Sequence, residues 1–99
     1  MKNLLNSLKK ECTLNTKWFG TIQENVQPKQ HKRWNITATP FIDSRGNIYL
    51  ELEYPEPKEN FPPVIYPQEF HIKDIEGKFI ISYNVSKLMI RIIAPKMFY

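Results

Sequence analysis

The sequence predicts an α+β domain: an N-terminal helix, an antiparallel β-meander of about four strands, a proline-rich crossing and a C-terminal helix. Three patterns predict it. Leu4, Leu5, Leu8 and Cys12 share one helical face near the start. Ile48, Leu50, Leu52 and Tyr54 alternate with Tyr49, Glu51 and Glu53, the period of a half-buried strand. Val85, Leu88, Met89, Ile92 and Ile93 recur at i, i+3, i+4, i+7 and i+8, the period of an amphipathic helix.

The first helix is expected over residues 3–14, with Asn3 as N-cap and Lys9 and Lys10 near the negative end of its dipole. Cys12 lies in the apolar stripe and reads as a small buried hydrophobe, not as a reactive thiol. A first strand follows at Trp18–Ile22, irregular at Gly20, and residues 23–33 read as a polar loop with a basic end. Trp34, Ile36 and Ala38 face one way on a second strand, which Pro40 ends. Asp43-Ser44-Arg45-Gly46 is a turn, with Asp at its first position and Gly in the left-handed one, so the second strand and the 48–54 strand make a hairpin.

Prolines 55, 57, 62, 63 and 67 then stop the strand near Tyr54. They make a stiff, extended run that holds the chain against a sheet edge. Short strands are expected at 64–66 and 79–82, then Asn84 as N-cap of the last helix and Pro95 as its stop. Met97, Phe98 and Tyr99 are left as an apolar cluster after the helix. Such a cluster marks an interface with a second copy or another protein, so the domain is not expected to work as a monomer.

The 99 residues make a single domain, 1–99, with one modest core. No apolar run is long enough to span a membrane and the first residues lack a signal core. With a single cysteine, no internal disulfide can form, and a cytoplasmic protein is expected. Residues 1–33 hold seven Lys/Arg against two acids, whereas residues 34–60 hold two against five. Any anionic partner is therefore expected in the N-terminal third.

Tyr54-Pro55, Phe61-Pro62-Pro63-Val64, Phe70-His71-Ile72 and Gly77-Lys78-Phe79 form a further pattern. In this order they resemble the ubiquitin-conjugating family, and among its members the bacterial ubiquitin-conjugating-like proteins found beside defence genes. The resemblance implies that family's fold and a thioester-forming cysteine after the glycine motif. Ile80 stands at that position, and Lys73 stands where eukaryotic members carry an asparagine. The implied function is a non-catalytic ubiquitin-conjugating-like binding module in a bacterial ubiquitin-like conjugation or defence assembly. It would act by protein–protein contact with a ubiquitin-like protein, an activating enzyme or itself. Ser82, in place of a cysteine, is a weak candidate nucleophile, with His71 near it. The ordinary reading of His71 is a histidine bonded to backbone.

Two His and one Cys are too few and too scattered for a zinc site, and no cofactor motif is present. The alternative function rests on Lys29, His31, Lys32 and Arg33 beside Trp34, with Trp18 and Phe19 on the neighbouring strand. Cations beside aromatic rings are how single-strand nucleic-acid binders hold backbone and bases. On that reading the chain is a small basic nucleic-acid-binding or phage-type inhibitor protein on another α+β fold, its anion site at Lys29, Lys32 and Arg33. Nucleic-acid binding is expected to be weak and non-specific.

Overall fold

From residue 18 onward, period-two alternation governs this chain. The computed structural model describes residues 4–12, 16–27 and 30–96. One short helix, α1 (Leu4–Lys9), precedes seven strands. They are β1 (Trp18–Gln27), β2 (Gln30–Ile42), β3 (Ile48–Glu53), β4 (Val64–Ile65), β5 (His71–Ile75), β6 (Lys78–Val85) and β7 (Leu88–Pro95). All join one antiparallel sheet in the order β4-β3-β2-β1-β7-β6-β5. The last strand returns to pair with the first, so β1 is the centre of the sheet.

That topology requires strong curvature. The edge strands β4 and β5 are joined only by residues 66–70, with a 3-10 turn at Pro67–Glu69. Six residue steps reach at most ~21 Å, whereas six strand spacings in a flat sheet amount to ~29 Å. The sheet therefore coils into a half-barrel with a concave inner and a convex outer face. Alternation decides which side chains face inward. Trp18, Ile22, Ile36, Ala38, Ile48, Leu50, Leu52, Phe79, Ile81, Leu88, Ile90, Ile92 and Ala94 form the buried core. α1 seals the concavity with Leu8, fully buried, and with Leu4 and Leu5 packed against the core. A six-residue helix has little stability of its own; burial of Leu8, about 1.5–3 kcal/mol, holds it there.

The α+β expectation is corrected by this architecture: the domain is mostly β, with no C-terminal helix among the described residues. Residues 85–93 satisfy the helical spacing and the strand spacing together. The fuller pattern is the strand: Leu88, Ile90, Ile92 and Ala94 are buried while Met89, Arg91 and Ile93 are exposed. β-branched isoleucines favour that outcome. Asn84 lies in β6, not at a helix start. The ubiquitin-conjugating resemblance falls with the helix. Gly77, its motif glycine, sits beside Glu76 in the two-residue turn of the β5–β6 hairpin, both with positive φ (81° and 41°). That is the primed turn matching strand twist. Ile80 is an ordinary strand residue, so no conjugating-enzyme site exists for Ser82 to complete.

Residues 23–27 and 30–33 are also no loop. They belong to β1 and β2, which pair as Gln23↔Arg33, Glu24↔Lys32 and Asn25↔His31. Polar residues on both sides removed the apolar signal there. Pro40 does not end β2, which runs on to Ile42. The Asp43–Gly46 turn forms as its residues predict: Asp43 Oδ1 accepts from the Arg45 and Asn47 amides, both at 2.9 Å, and Gly46 has φ 82°. The proline run does hold the β3 edge, where the Leu52 amide donates to the Pro63 carbonyl at 2.9 Å and the Tyr54 hydroxyl to that of Pro62 at 2.5 Å. Gly20 marks a close approach of β1 and β7. A Cβ there would collide with the Arg91 carbonyl oxygen and with Ile92 Cδ1.

Candidate functional site

Alternation that buries one face of the sheet leaves the other uncovered. On the convex face, antiparallel register builds rows of side chains across strands. One row is wholly polar and crosses five strands: His71, Ser82, Arg91, Thr21 and Asn35. The next contains Asn84, Met89, Gln23 and Arg33. On the other side of the polar row stand Lys73, Ile80, Ile93, Phe19 and Thr37. Phe19 is thus at the middle of the central strand, yet 74% exposed. A phenylalanine held in water at the centre of a sheet contributes nothing to the core beneath it.

An open groove of about 560 Å³ lies on this face, its walls including Arg33, Arg91, Ser82, Asn84, Met89 and Ile93. A second hollow of about 340 Å³ adjoins it, lined by Phe19, Asn35, Thr37, Glu53 and Tyr54 among others. Phe19 borders the second hollow, and its register partner Ile93 borders the first. The Arg33 guanidinium is oriented by a chain of amides. Its Nη2 donates to Gln23 Oε1 at 2.6 Å, and Gln23 Nε2 donates to Asn25 Oδ1 at 2.9 Å. His31 Nδ1 lies 2.5 Å from the same oxygen and must carry a hydrogen to bond it. Asn25 Nδ2 completes the chain toward Met89 Sδ at 3.6 Å.

The charge pattern has one sign over most of the face. The convex positions of β5, β6, β7, β1 and β2 carry the cations Lys73, Lys78, Arg91 and Arg33, the imidazoles of His71 and His31, and no carboxylate. The two acids of these strands point inward instead. Glu24 takes Lys58 Nζ at 2.9 Å and Asn60 Nδ2 at 3.2 Å, and these bonds, Lys58's first, hold its carboxyl below the usual value. Asp74 pairs with Lys96 Nζ at 2.5 Å. Only β3 presents acids outward, Glu51 and Glu53, the latter 3.5 Å from Lys17 Nζ.

The residues expected to bind an anion are divided by this register. Arg33 is on the convex face, whereas Lys32 pairs with Glu24 in the inward row. Lys29 lies outside the described residues, as do Met97, Phe98 and Tyr99, the expected partner contacts. Ser82 and His71 are brought together as cross-strand neighbours. Among the described residues no side-chain hydrogen bond joins them, and no base–orienter pair stands behind His71. Cys12 is half-buried; burial first, then the neighbouring Glu11 charge, pushes its thiol up to about 11, so it is protonated at neutral pH. Among the described residues, no group of three or more His, Cys, Asp or Glu could hold a metal ion, and no helix is long and apolar enough to cross a membrane.

No protein-family model fits this chain, and no curated protein or solved structure matches significantly. Its site is therefore read from geometry alone. Arg91, Ser82, Asn84 and Met89 join Arg33 in the groove, with Phe19 at the adjoining hollow, a set the sequence pattern does not bring together. The available signal was the alternation Met89-x-Arg91-x-Ile93, hidden by the competing helical period. A second exposed patch lies on β2 and β3 toward their hairpin. Phe41 stacks on Tyr49 at 5.4 Å between ring centres, and Tyr49 meets Tyr66 at 5.8 Å.

Proposed function

We propose that this protein is a non-catalytic binding module whose convex sheet face takes single-stranded nucleic acid. The observation that carries the reading is the pairing of an exposed Phe19 at the sheet centre with a surrounding face that bears cations and, outside β3, no carboxylate. Single-strand binders use this combination: cations track the phosphates while bases stack on exposed rings, largely without regard to sequence. Arg91 and Arg33 supply two phosphate contacts on different strands, and Ser82, Thr21, Asn35 and Asn84 supply neutral hydrogen-bonding groups between them. A duplex, with its bases stacked inside, leaves Phe19 without a partner. A single free cysteine, kept as a thiol, suits a cytoplasmic setting.

The test is a titration of a fluorescent oligothymidylate by anisotropy at about 50 mM salt, repeated at higher salt. Contact with about three phosphates gives a slope of log affinity against log salt near −2. Arg91→Ala should weaken binding about tenfold with the fold intact, as expected for a charge-assisted contact. Binding that is insensitive to both salt and Arg91 would overturn the reading.

A second reading rests on the Phe41, Tyr49 and Tyr66 cluster. Exposed contiguous aromatics are also how protein partners are held, so a protein partner at this patch is proposed as well. If so, Tyr49→Ser abolishes that contact and leaves oligonucleotide affinity unchanged; co-sedimentation with a candidate partner reads the first effect and anisotropy the second.

A further inference from the structure

We infer that the bound strand runs across the β-strands, along the row His71, Ser82, Arg91, Thr21 and Asn35, and that Glu51 and Glu53 of β3 end its track. This rests on the nucleic-acid reading and adds its direction, length and boundary.

The cations set the direction. Lys73 is on β5, Lys78 on β6, Arg91 on β7, and Arg33 on β2. A ligand lying along any one strand would meet one or two of them; a ligand crossing the sheet meets them in succession. The polar row supplies a continuous path, with Ser82, Thr21 and Asn35 between the charged positions. Beside it, Ile93 and Phe19 give apolar surface on which bases can lie.

The width of the path sets the length. Five strands contain four inter-strand gaps, ~19 Å in all at ~4.8 Å each. That accommodates about four nucleotides, the low end of the range for single-strand sites on small β domains.

The acids set the boundary. Beyond β2 the nearest outward acid is Glu53, in register with Thr37 one row from Asn35, and Glu51, in register with Thr39, is one row farther. Glu53 also lines the hollow beside Phe19. Lys17 neutralises Glu53 only in part, since both groups are exposed and their pair is screened. Among the described residues no cation is within ion-pair distance of Glu51. A phosphate carried past Asn35 would approach the Glu53 carboxylate first, with Glu51 one row behind it, so the strand must turn away into solvent there.

The experiment measures affinity for oligothymidylates of two to twelve nucleotides at about 50 mM salt. Both the natural protein and a Glu51→Gln/Glu53→Gln variant are titrated. For the natural protein, affinity should climb steeply up to about four nucleotides and then level off, apart from the statistical gain of a longer lattice. In the variant the rise should continue, with the twelve-mer binding about fivefold tighter than to the natural protein and the four-mer unchanged. An affinity that keeps rising steeply beyond eight nucleotides in the natural protein would contradict the boundary, as would a variant that leaves the twelve-mer unaffected. No binding at any length would remove the nucleic-acid reading itself, and the boundary with it.

Discussion

The two faces of one sheet differ in what their side chains are for. On the concave face, Ile22, Ile81, Ile90 and Ile92 are buried in one cluster with Leu8 of α1, and no described buried side-chain polar atom lacks a partner. On the convex face, the same strands hold Phe19 and Ile93 in water among arginines, amides and hydroxyls. A fold needs only the first face. Solvent-facing strand positions favour polar residues, but nothing in folding demands a phenylalanine there or the absence of carboxylates from the outward positions of five strands. Stability is therefore assigned to one face and binding to the other, and substitutions should separate them.

The largest effect is expected on the concave face. Ile92→Ala removes a fully buried side chain at the β1–β7 seam and should cost about 2–5 kcal/mol of unfolding free energy by denaturant titration. Gly20→Ala, which pushes a methyl into the Arg91 carbonyl, should cost about 1–3 kcal/mol in the same assay. Phe19→Ala is the sharpest contrast. It should leave stability within about 0.5 kcal/mol yet weaken oligonucleotide binding by about 1–3 kcal/mol, the worth of one stacked base. A Phe19→Ala variant as unstable as Ile92→Ala would erase the distinction between the faces.

A smaller effect concerns acid. The Glu24 carboxyl is held below its ordinary value of 4.5, by the Lys58 hydrogen bond first and that of Asn60 second. A depressed folded value means that this contribution is fully present above the unfolded value and is lost as pH falls through the folded one. Stability measured from pH 6 downward should therefore fall more shallowly in Lys58→Met than in the natural protein at pH below about 4.5. At neutral pH Cys12 should react slowly: with its thiol near 11, about a hundredfold fewer thiolates exist at a given pH than for an ordinary cysteine near 9.0. Iodoacetamide labelling that matches a free thiol would contradict this.

Much of β3 was legible because Ile48–Glu53 alternates over a turn with strong chemistry at Asp43 and Gly46. The inward face of Trp34, Ile36 and Ala38 was legible for similar reasons, whereas Cys12, expected to be buried, is only half-buried. The C-terminal strand was not, because Val85, Leu88, Met89, Ile92 and Ile93 satisfy two periods at once and only pairing with β1 and β6 decides between them. The β1–β2 ribbon was lost for the opposite reason: apart from Val26 and Pro28, the sequence from Gln23 to Arg33 is polar and shows no apolar period. The groove depends on both errors being corrected. Arg91 and Arg33 are far apart in sequence, and a helix at 85–93 would have kept Arg91 off the sheet. The ubiquitin-conjugating resemblance failed through the same region, where short motifs around proline, histidine and glycine matched without the helices that give them meaning.

The central claim, that binding belongs to the convex face, is tested most directly by the side-chain amide resonances of asparagine and glutamine. Gln23, Asn25, Asn35 and Asn84 sit on that face, while Asn47 lies in the β2–β3 turn and Asn60 beside Glu24. Two-dimensional nitrogen–proton spectra recorded during titration with a four-nucleotide oligothymidylate should shift the first four sets of signals and leave Asn47 and Asn60 in place. Shifts confined to Asn47 or Asn60, with the convex amides unmoved at saturation, would contradict it.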